Sequence, residues 1–267
     1  MFLAIDSSAG ASAALIDDGD VVASWSTRQT NTHAEVLAAA VEEVLAEGGL
    51  RGTGRGAGRD TADGGVPAGV VVGVGPGPFT GLRIGLALAQ SLVCVWDVPL
   101  YGVCSLDSLA QRAIDAGVVQ GKFAVATDAR RREVYWASYR GVAAGSAEDA
   151  AAAYAQRRDG PHVGPAADVP AGSVVVGQGA SLYPDELLGP DARLETGTWL
   201  PEAADLGLIA ASALSAGRAE AVLLPPRPLY LRESDAQVPA SMQRATTGAQ
   251  NAAQSDAPTG VQSGAQA

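Results

Sequence analysis

The stretch Val70-Val71-Val72-Gly73-Val74-Gly75-Pro76-Gly77-Pro78-Phe79-Thr80-Gly81-Leu82-Arg83-Ile84-Gly85 decides the fold of this chain. Residues 70–74 form a short β-branched apolar run, which predicts a buried strand. A loop follows, in which Pro76 and Pro78 lack the N–H donors that would continue a strand. Thr80 can cap a helix, which we expect over residues 81–96. Strand, glycine-rich loop and helix in this order predict an α/β fold.

The loop between this strand and helix resembles phosphate-binding loops without matching one. Gly75, Gly77 and Gly81 give G-x-G-x-x-x-G, one residue longer than the Rossmann spacing. No lysine follows Gly81, as it would in a Walker A loop. An anion can bind at the positive end of the helix. The alternative is a rigid connector made by Gly75, Pro76, Gly77 and Thr80, and the spacing favours this alternative.

The predicted helix carries small residues at four-residue intervals. Gly81, Gly85 and Ala89 lie on one face of it, and each glycine costs about 1 kcal/mol of helix stability relative to alanine. Such a face indicates a close contact with another element. That element is either the sheet of the same chain or a helix of another subunit, and the pattern leaves both open.

Residues 75–85 resemble the G-P-G-S-F-T-G-L-R-I-G signature of the TsaB (YeaZ) family, with Pro78 in place of the usual serine. Residues 128–135 resemble the D-A-R-R-x-E-V-Y hairpin of that family, and residues 225–232 resemble its closing P-x-Y-L-R segment. The resemblance covers residues 1–235. It implies an α/β fold of two actin-like (ribonuclease H-like) domains, each a mixed β-sheet flanked by helices.

The resemblance sets the expected domain organisation. We expect a first actin-like domain over residues 1–104 and a second over residues 105–235. Residues 48–69, rich in Gly, Arg, Ala and Asp, predict a flexible insertion. Residues 236–267 are nearly uncharged and lack an apolar period, which predicts a disordered tail. Residues 143–158 are alanine-rich and favour a helix.

Three loops resemble the nucleotide loops of the actin-like ATPase superfamily, with changes. The superfamily has a glycine two residues after the aspartate that ends the first strand, whereas Ser8 follows Asp6 and narrows the space for a phosphate. Arginines replace the glycines that follow the second aspartate. The resemblance therefore implies vestigial nucleotide loops at Asp6, Ser7, Ser8, Asp128, Gly177 and Gly179. The alternative for Asp6 is a cap on its own turn.

Arg130, Arg131 and Arg132 form the only dense basic run of the sequence. Such a run either contacts a partner or RNA, or forms a solvated hairpin tip, and the second interpretation is the commoner use.

A second predicted helix, over residues 33–46, carries an apolar stripe. In the resembling family this helix and the one after Gly81 belong to the subunit interface. The resemblance thus implies a partner interface at His33, Val36, Leu37, Ala40, Val41, Val44, Gly81, Leu82, Gly85, Leu86 and Ala89. The stripe alone indicates core packing equally well.

Composition argues against several kinds of chemistry. The formal net charge of −11 makes the chain poorly suited to gripping RNA alone. His33 and His162 stand apart, so no local pair of metal ligands exists, and we expect neither metal nor cofactor. Cys94 and Cys104 lie in apolar sequence, which predicts buried thiols. No apolar stretch reaches membrane-spanning length without interruption, and we expect a cytoplasmic protein without a signal peptide.

The resemblance implies a function without catalysis. The chain would support a TsaD-type catalytic subunit that transfers threonylcarbamoyl to the tRNA adenosine next to the anticodon. A TsaE-type ATPase subunit would join, and tRNA would be reached only through the complex. The alternatives are an actin-like nucleotide hydrolase, a glycoprotease-like peptidase acting alone, or a regulatory homodimer.

Overall fold

The computed structural model describes residues 1–28, 33–52, 65–143, 153–172, 174–187 and 194–232. Residues Met1–Leu231 form one compact unit. The predicted tail and the centre of the predicted insertion, residues 53–64, lie outside the described residues.

The first sheet has five strands in the order β3-β2-β1-β4-β5. These are β1 (Phe2–Asp6), β2 (Ala11–Asp17), β3 (Asp20–Thr27), β4 (Val70–Gly73) and β5 (Leu100–Val103). Strands β1, β2 and β3 form an antiparallel meander, and β4 and β5 continue the sheet in parallel with β1. Every residue of β4 is buried, as its run of three valines predicts for a strand covered on both faces.

The second sheet has four strands in the order β8-β7-β6-β9. These are β6 (Lys122–Asp128), β7 (Val134–Val142), β8 (Tyr154–Gly164) and β9 (Val174–Val176). Three antiparallel strands are followed by one parallel to the first of them, which repeats the arrangement of β1 to β4. The predicted class of mixed sheets flanked by helices is confirmed.

Helices cover both sheets. They are α1 (His33–Glu47), α2 (Phe79–Trp96), α3 (Ser105–Asp115), α4 (Gln178–Leu182), α5 (Pro184–Leu187), α6 (Ala203–Ser215) and α7 (Ala219–Val222). Helices α1 and α2 share a core with one face of the first sheet, and α6 covers the opposite face. Helix α3 packs on the second sheet, and single 3-10 turns occur at Ala166–Asp168 and Leu194–Thr198.

Helix α2 starts two residues before the predicted position. Pro78 precedes its first turn with φ −57° and no side chain caps it, so Thr80 lies inside the helix rather than at its cap. Asp97 ends the helix in a left-handed conformation with φ 58°. A proline before the helix leaves one fewer N–H to satisfy in this region, which explains a start without a hydroxyl cap.

One other sequence prediction differs from the structure. Residues 154–158 belong to strand β8, which pairs with β7, so the alanine-rich helix prediction is wrong there; residues 144–152 lie outside the described residues. Pairing with a neighbouring strand has overridden a weak helix propensity. Helix α6 follows the second sheet in the sequence, and its Ala203, Leu206 and Ala210 pack on the first sheet against Ile16 and neighbouring side chains. The chain thus returns to its first sheet.

Helix α2 is the one helix in the described ranges that is long and apolar enough to cross a membrane, with a mean hydropathy of 1.4 over 18 residues. Its inner face packs on the first sheet, and 33% of its residues are buried. Helices of protein cores pass the same test of length and composition, and Arg83 interrupts the apolar sequence. The contacts with the sheet account for the apolar inner face.

Candidate functional site

The carboxyl ends of β1, β4 and β5 meet at one edge of the first sheet, where ligands bind in many α/β folds. The chain places polar side chains there. Asp6, Ser7, Ser8 and Ser105 lie at this edge with at most 2% of their surface exposed. Buried polar groups are stable only when they are hydrogen-bonded, so their partners decide whether this edge can hold a ligand.

The carboxylate of Asp6 binds its own loop and the start of α3. Its Oδ1 accepts hydrogen bonds from the Ser8 backbone N–H at 2.9 Å and from the Ser8 hydroxyl at 2.7 Å. Its Oδ2 accepts from the Ser105 hydroxyl at 2.7 Å, and Ser105 Oγ accepts from the Gly75 N–H at 3.2 Å. Asp6 thus caps its turn, as one interpretation of the sequence predicts, and also joins three loops.

Ser7 fastens the first loop to helix α2. Its hydroxyl donates to the Gly81 carbonyl at 2.8 Å and accepts from the Gly85 N–H at 3.2 Å. A Cβ atom at Gly85 would lie 2.3 Å from Ser7 Oγ. The glycine at this position is therefore explained by a contact within the chain, which was one of the two alternatives that the helix pattern left open.

Glycines also let the loops close upon one another. A Cβ at Gly73 would lie 1.8 Å from Asp6 Oδ2, and one at Gly77 would lie 2.5 Å from the Ser8 carbonyl oxygen. Gly75 has φ +98°, which side chains rarely adopt. The glycine-rich loop is thus packed directly on the Asp6 loop, which is the arrangement of a connector rather than of an open cradle.

In the corresponding loops of the second sheet, the space beside the backbone is likewise filled by other atoms of the same chain. Asp128 Oδ1 accepts from the Arg130 N–H at 2.7 Å, and its Oδ2 lies 3.2 Å from the Arg130 guanidinium. A Cβ at Gly177 would lie 2.7 Å from the Ala126 carbonyl oxygen, and one at Gly179 would lie 2.7 Å from Ala126 Cβ. Both glycines are therefore required for packing on β6.

Of the implied interface residues whose side chains the structure describes, all but Val36 are buried on the inner faces of α1 and α2. Among them Leu37, Ala40, Val41, Val44, Gly81, Leu82, Gly85, Leu86 and Ala89 are buried, and Val36 is half-buried. Most of these side chains contact the first sheet. This corrects the residue assignment, because side chains turned into the core cannot meet a partner. The side chain of His33 lies outside the described part of the chain.

The outer faces of these two neighbouring helices carry different side chains. On α2 the exposed residues are Phe79, Thr80, Arg83, Ala87, Gln90, Ser91, Cys94 and Val95. On α1 they are Ala38, Ala39, Glu42, Glu43, Ala46 and Glu47. We name this surface the outer α1–α2 face. It combines small and apolar side chains with charged and polar ones, and Val95 is 58% exposed.

A partly buried polar cluster was not predicted from the sequence. The Tyr139 hydroxyl donates to Asp107 Oδ1 at 2.7 Å, and Arg157 Nε lies 3.7 Å from the same oxygen. Burial raises the pKa of Asp107, and Arg157 and Tyr139 oppose that rise. Burial also raises the pKa of the neighbouring Cys104 thiol, so this cysteine stays protonated. The cluster joins α3, β7 and β8, and no local spacing in the sequence could have revealed it.

Within the described residues, no group of three His, Cys, Asp or Glu side chains lies close enough to hold a metal ion. The His162 ring is exposed and pairs with Asp159 at 2.9 Å. Cys104 is buried as predicted, but Cys94 is exposed on α2, so the prediction for Cys94 is wrong. A sequence that is apolar on all sides of a helix does not reveal which side faces the sheet.

Comparisons with known proteins agree on one family. The family model described as TsaD, tRNA N6-adenosine threonylcarbamoyltransferase, matches residues 21–168, which is more than half of the chain. A crystal structure of a Pseudomonas aeruginosa protein described as similar to the peptidase YeaZ superposes with a TM-score of 0.67 and 27% identity. That match covers 86% of this chain and 99% of the other. The chain belongs to the TsaB (YeaZ) family.

The curated relatives match over shorter segments. An uncharacterized protein of Mycobacterium tuberculosis is 42% identical over 104 residues, 39% of this chain and 40% of that protein. The tRNA threonylcarbamoyladenosine biosynthesis protein TsaB of Escherichia coli is 44% identical over 61 residues, 23% of this chain and 26% of that protein. The matches therefore span less than half the length of these relatives.

Proposed function

We propose that this TsaB-family chain is a cytoplasmic, non-catalytic subunit in the threonylcarbamoyladenosine modification of tRNA. In this proposal it binds a TsaD-type catalytic subunit, and a TsaE-type ATPase subunit joins the complex. The Escherichia coli relative is named for the biosynthesis of this nucleoside, and the matching family model is described as the transferase. Transfer of threonylcarbamoyl to the adenosine takes place on the partner, and tRNA reaches this chain only within the complex.

The observation that carries the non-catalytic role is the closure of the loops. Asp6 ends β1 in the loop that resembles a first phosphate loop, and it is hydrogen-bonded to Ser8 and Ser105. Gly77 packs against the Ser8 backbone. A phosphate in this place would have to displace hydrogen bonds that are already made between buried groups. Asp128 likewise binds its own turn. The closure of these two loops supports a non-catalytic role for the chain.

The partner surface that we propose is the outer α1–α2 face. Phe79 and Val95 on this face are large apolar side chains exposed to solvent, and exposed apolar side chains that form a patch commonly mark interaction sites. The small side chains Ala38, Ala87 and Ser91 would allow a partner helix to approach closely. A second copy of this chain could meet the same face, so a homodimer and the complex with the catalytic subunit would compete for it.

The first experiment tests the pairing. The full chain, alone and mixed with the TsaD-type protein of the same organism, is measured by light scattering after size exclusion. We expect a stable mixed complex, and we expect that the double substitution Ala87→Arg, Ser91→Arg prevents it while the circular dichroism melt stays that of the wild type. Ala116→Arg, an exposed alanine on the C-terminal cap of α3, is the matched control and should leave the complex intact.

A second experiment addresses independent catalysis. Isothermal titration with magnesium ATP and a peptide hydrolysis assay are run on the isolated chain. We expect no ATP binding and no turnover by the chain alone. Tight ATP binding or hydrolysis, together with absence of a complex with the TsaD-type protein, would contradict the proposal and favour an independent hydrolase or peptidase.

A further inference from the structure

The tip of the β6–β7 hairpin carries three consecutive arginines. Arg130, Arg131 and Arg132 are all exposed, and the Arg130 side chain is 71% exposed. The turn is closed by backbone hydrogen bonds from Ala129 to Glu133 and from Glu133 to Arg130. The three side chains are therefore presented together where the chain reverses direction.

The backbone of this tip is strained. The φ angles of Arg130, Arg131 and Arg132 are 61°, 57° and 62°, in the left-handed region that residues with a Cβ rarely adopt. Among the described residues, this is the only run of three non-glycine residues with positive φ. Elsewhere among the described residues positive φ falls on glycine, as at Gly19 and Gly117, or on a single aspartate, as at Asp18 and Asp97. Glycine or asparagine would form this turn with less strain, so the turn itself does not explain the arginines.

The charge and polarity of the tip indicate what it contacts. The whole chain has a net charge of −11, which on balance repels a polyanion. No apolar side chain is exposed within residues 129–133, because Ala129 is buried. Protein interfaces have an apolar centre, whereas contacts with nucleic acid backbones are polar and positively charged. Guanidinium groups match phosphate geometry through paired hydrogen bonds.

We infer that this arginine tip binds the phosphate backbone of tRNA, through Arg131 and Arg132. Arg130 fixes the turn by its contacts with Asp128. The inference rests on the proposed function, because it places the chain in a complex that acts on tRNA. The sequence alone favoured a solvated hairpin tip, and the strained left-handed run is the observation that changes this interpretation.

The test measures tRNA binding by the complex of the full chain with the TsaD-type protein, using fluorescence anisotropy over a range of salt concentrations. The variant is Arg131→Asn, Arg132→Asn, since asparagine tolerates the left-handed region better than arginine. We expect the plot of log affinity against log salt concentration to become less steep, with the magnitude of its slope smaller by about 2. The affinity at low salt should fall by up to about tenfold. The melting temperature should not decrease. Arg131→Lys, Arg132→Lys should keep the salt slope of the wild type.

The matched control removes the same charge elsewhere. Arg140 and Arg227 are exposed, and Arg140→Asn, Arg227→Asn should leave the salt slope unchanged. A complex that assembles normally but binds tRNA with an unchanged slope in the Arg131→Asn, Arg132→Asn variant would overturn the inference alone. Loss of complex assembly in that variant would also overturn it, since the tip would then dock on protein. If the wild-type chains form no complex, the proposed function fails first, and the inference fails with it.

Discussion

The backbone N–H of Gly85 donates a hydrogen bond to the hydroxyl of Ser7, with 3.2 Å between the two atoms. The same hydroxyl donates to the Gly81 carbonyl, so Ser7 bridges two turns of α2. In the actin-like arrangement this loop would face a phosphate, whereas here the Ser7 hydroxyl is hydrogen-bonded to helix α2. Glycine at position 85 therefore serves the contact between a loop and a helix of one chain.

This contact predicts a specific non-additive effect. Gly85→Ala should destabilise the chain by about 1–2 kcal/mol, because the clash with Ser7 outweighs the gain in helix propensity. In a Ser7→Gly background the same substitution should cost much less, since the next atom, Ile5 Cγ2, lies 3.8 Å from the added Cβ. Urea unfolding of all four proteins gives the coupling energy. Equal costs in both backgrounds would show that Gly85 does not depend on Ser7.

The buried cluster around Asp107 predicts a second effect. Tyr139→Phe removes the hydroxyl that donates to Asp107 Oδ1, which leaves a buried carboxylate with less compensation. The free energy of unfolding should fall by about 1–3 kcal/mol, and the pKa of Asp107 should rise further because a hydrogen bond that lowers it is lost. Tyr135→Phe on the same strand, where the ring is half-buried, is the control. A Tyr139→Phe variant as stable as the wild type would contradict this role of the hydroxyl.

Asp205 predicts a dependence of stability on pH. Burial raises its pKa from 3.8 to about 6, although Arg112 opposes that rise, so the folded state favours the protonated carboxyl. The protonated Asp205 carboxyl therefore stabilises the folded state. This stabilisation is fully present below pH 3.8 and is lost as the pH rises through 6. The loss is about 3 kcal/mol. On going from pH 3.5 to pH 7, the free energy of unfolding of Asp205→Asn should therefore rise by about that amount relative to the wild type.

Chemical unfolding at several pH values measures this difference. Glu186→Gln, which removes an exposed carboxylate from α5, is the control and should run parallel to the wild type. A difference between wild type and Asp205→Asn that does not change between pH 3.5 and pH 7 would show that Arg112 fully compensates the burial.

Most strands, and the two long helices α1 and α2 that pack on the first sheet, could be predicted from local sequence. Four of the residues 70–74 are valine, so their buried strand could be predicted from neighbours in sequence alone. Strand β8 could not be predicted in this way, because it forms by pairing with residues of β7. The alanine-rich sequence that suggested a helix gives no sign of that pairing. Helix α6 shows an apolar stripe in the sequence, but nothing local says that it covers the first sheet rather than the second.

The site was predictable to the extent that it resembled a family. The resemblance identified α1 and α2 and the loops of Asp6 and Asp128, but the selected residues of α2 face inward. The helix is apolar on nearly all sides, with Leu86 buried and Val95 exposed, so hydrophobicity cannot separate its two faces. The cluster of Asp107, Tyr139 and Arg157 joins three elements, and only the fold brings these residues together.

An exposed stack at the start of α2 predicts how the closing segment is held. The Phe79 and Tyr230 rings stack with 4.9 Å between centroids, and the Arg83 guanidinium carbon lies 3.7 Å from the Phe79 ring centre. Arg83 Nε also donates to the Tyr230 hydroxyl at 2.9 Å. Beside the stack, the Leu229 N–H donates to the Val74 carbonyl at 2.8 Å. The stack thus fastens the end of the compact unit to the signature helix.

Phe79→Ala should release this segment without unfolding the domain. Ring stacking and the cation–π contact are each worth about 1 kcal/mol, so hydrogen exchange at the Leu229 amide should accelerate by about tenfold or more. Val95→Ala is the control, since Val95 is exposed on the same helix and its loss should leave Leu229 exchange unchanged. Unchanged exchange at Leu229 in Phe79→Ala would mean that the backbone bond to Val74 holds the segment by itself, because the rings would then add nothing to its protection.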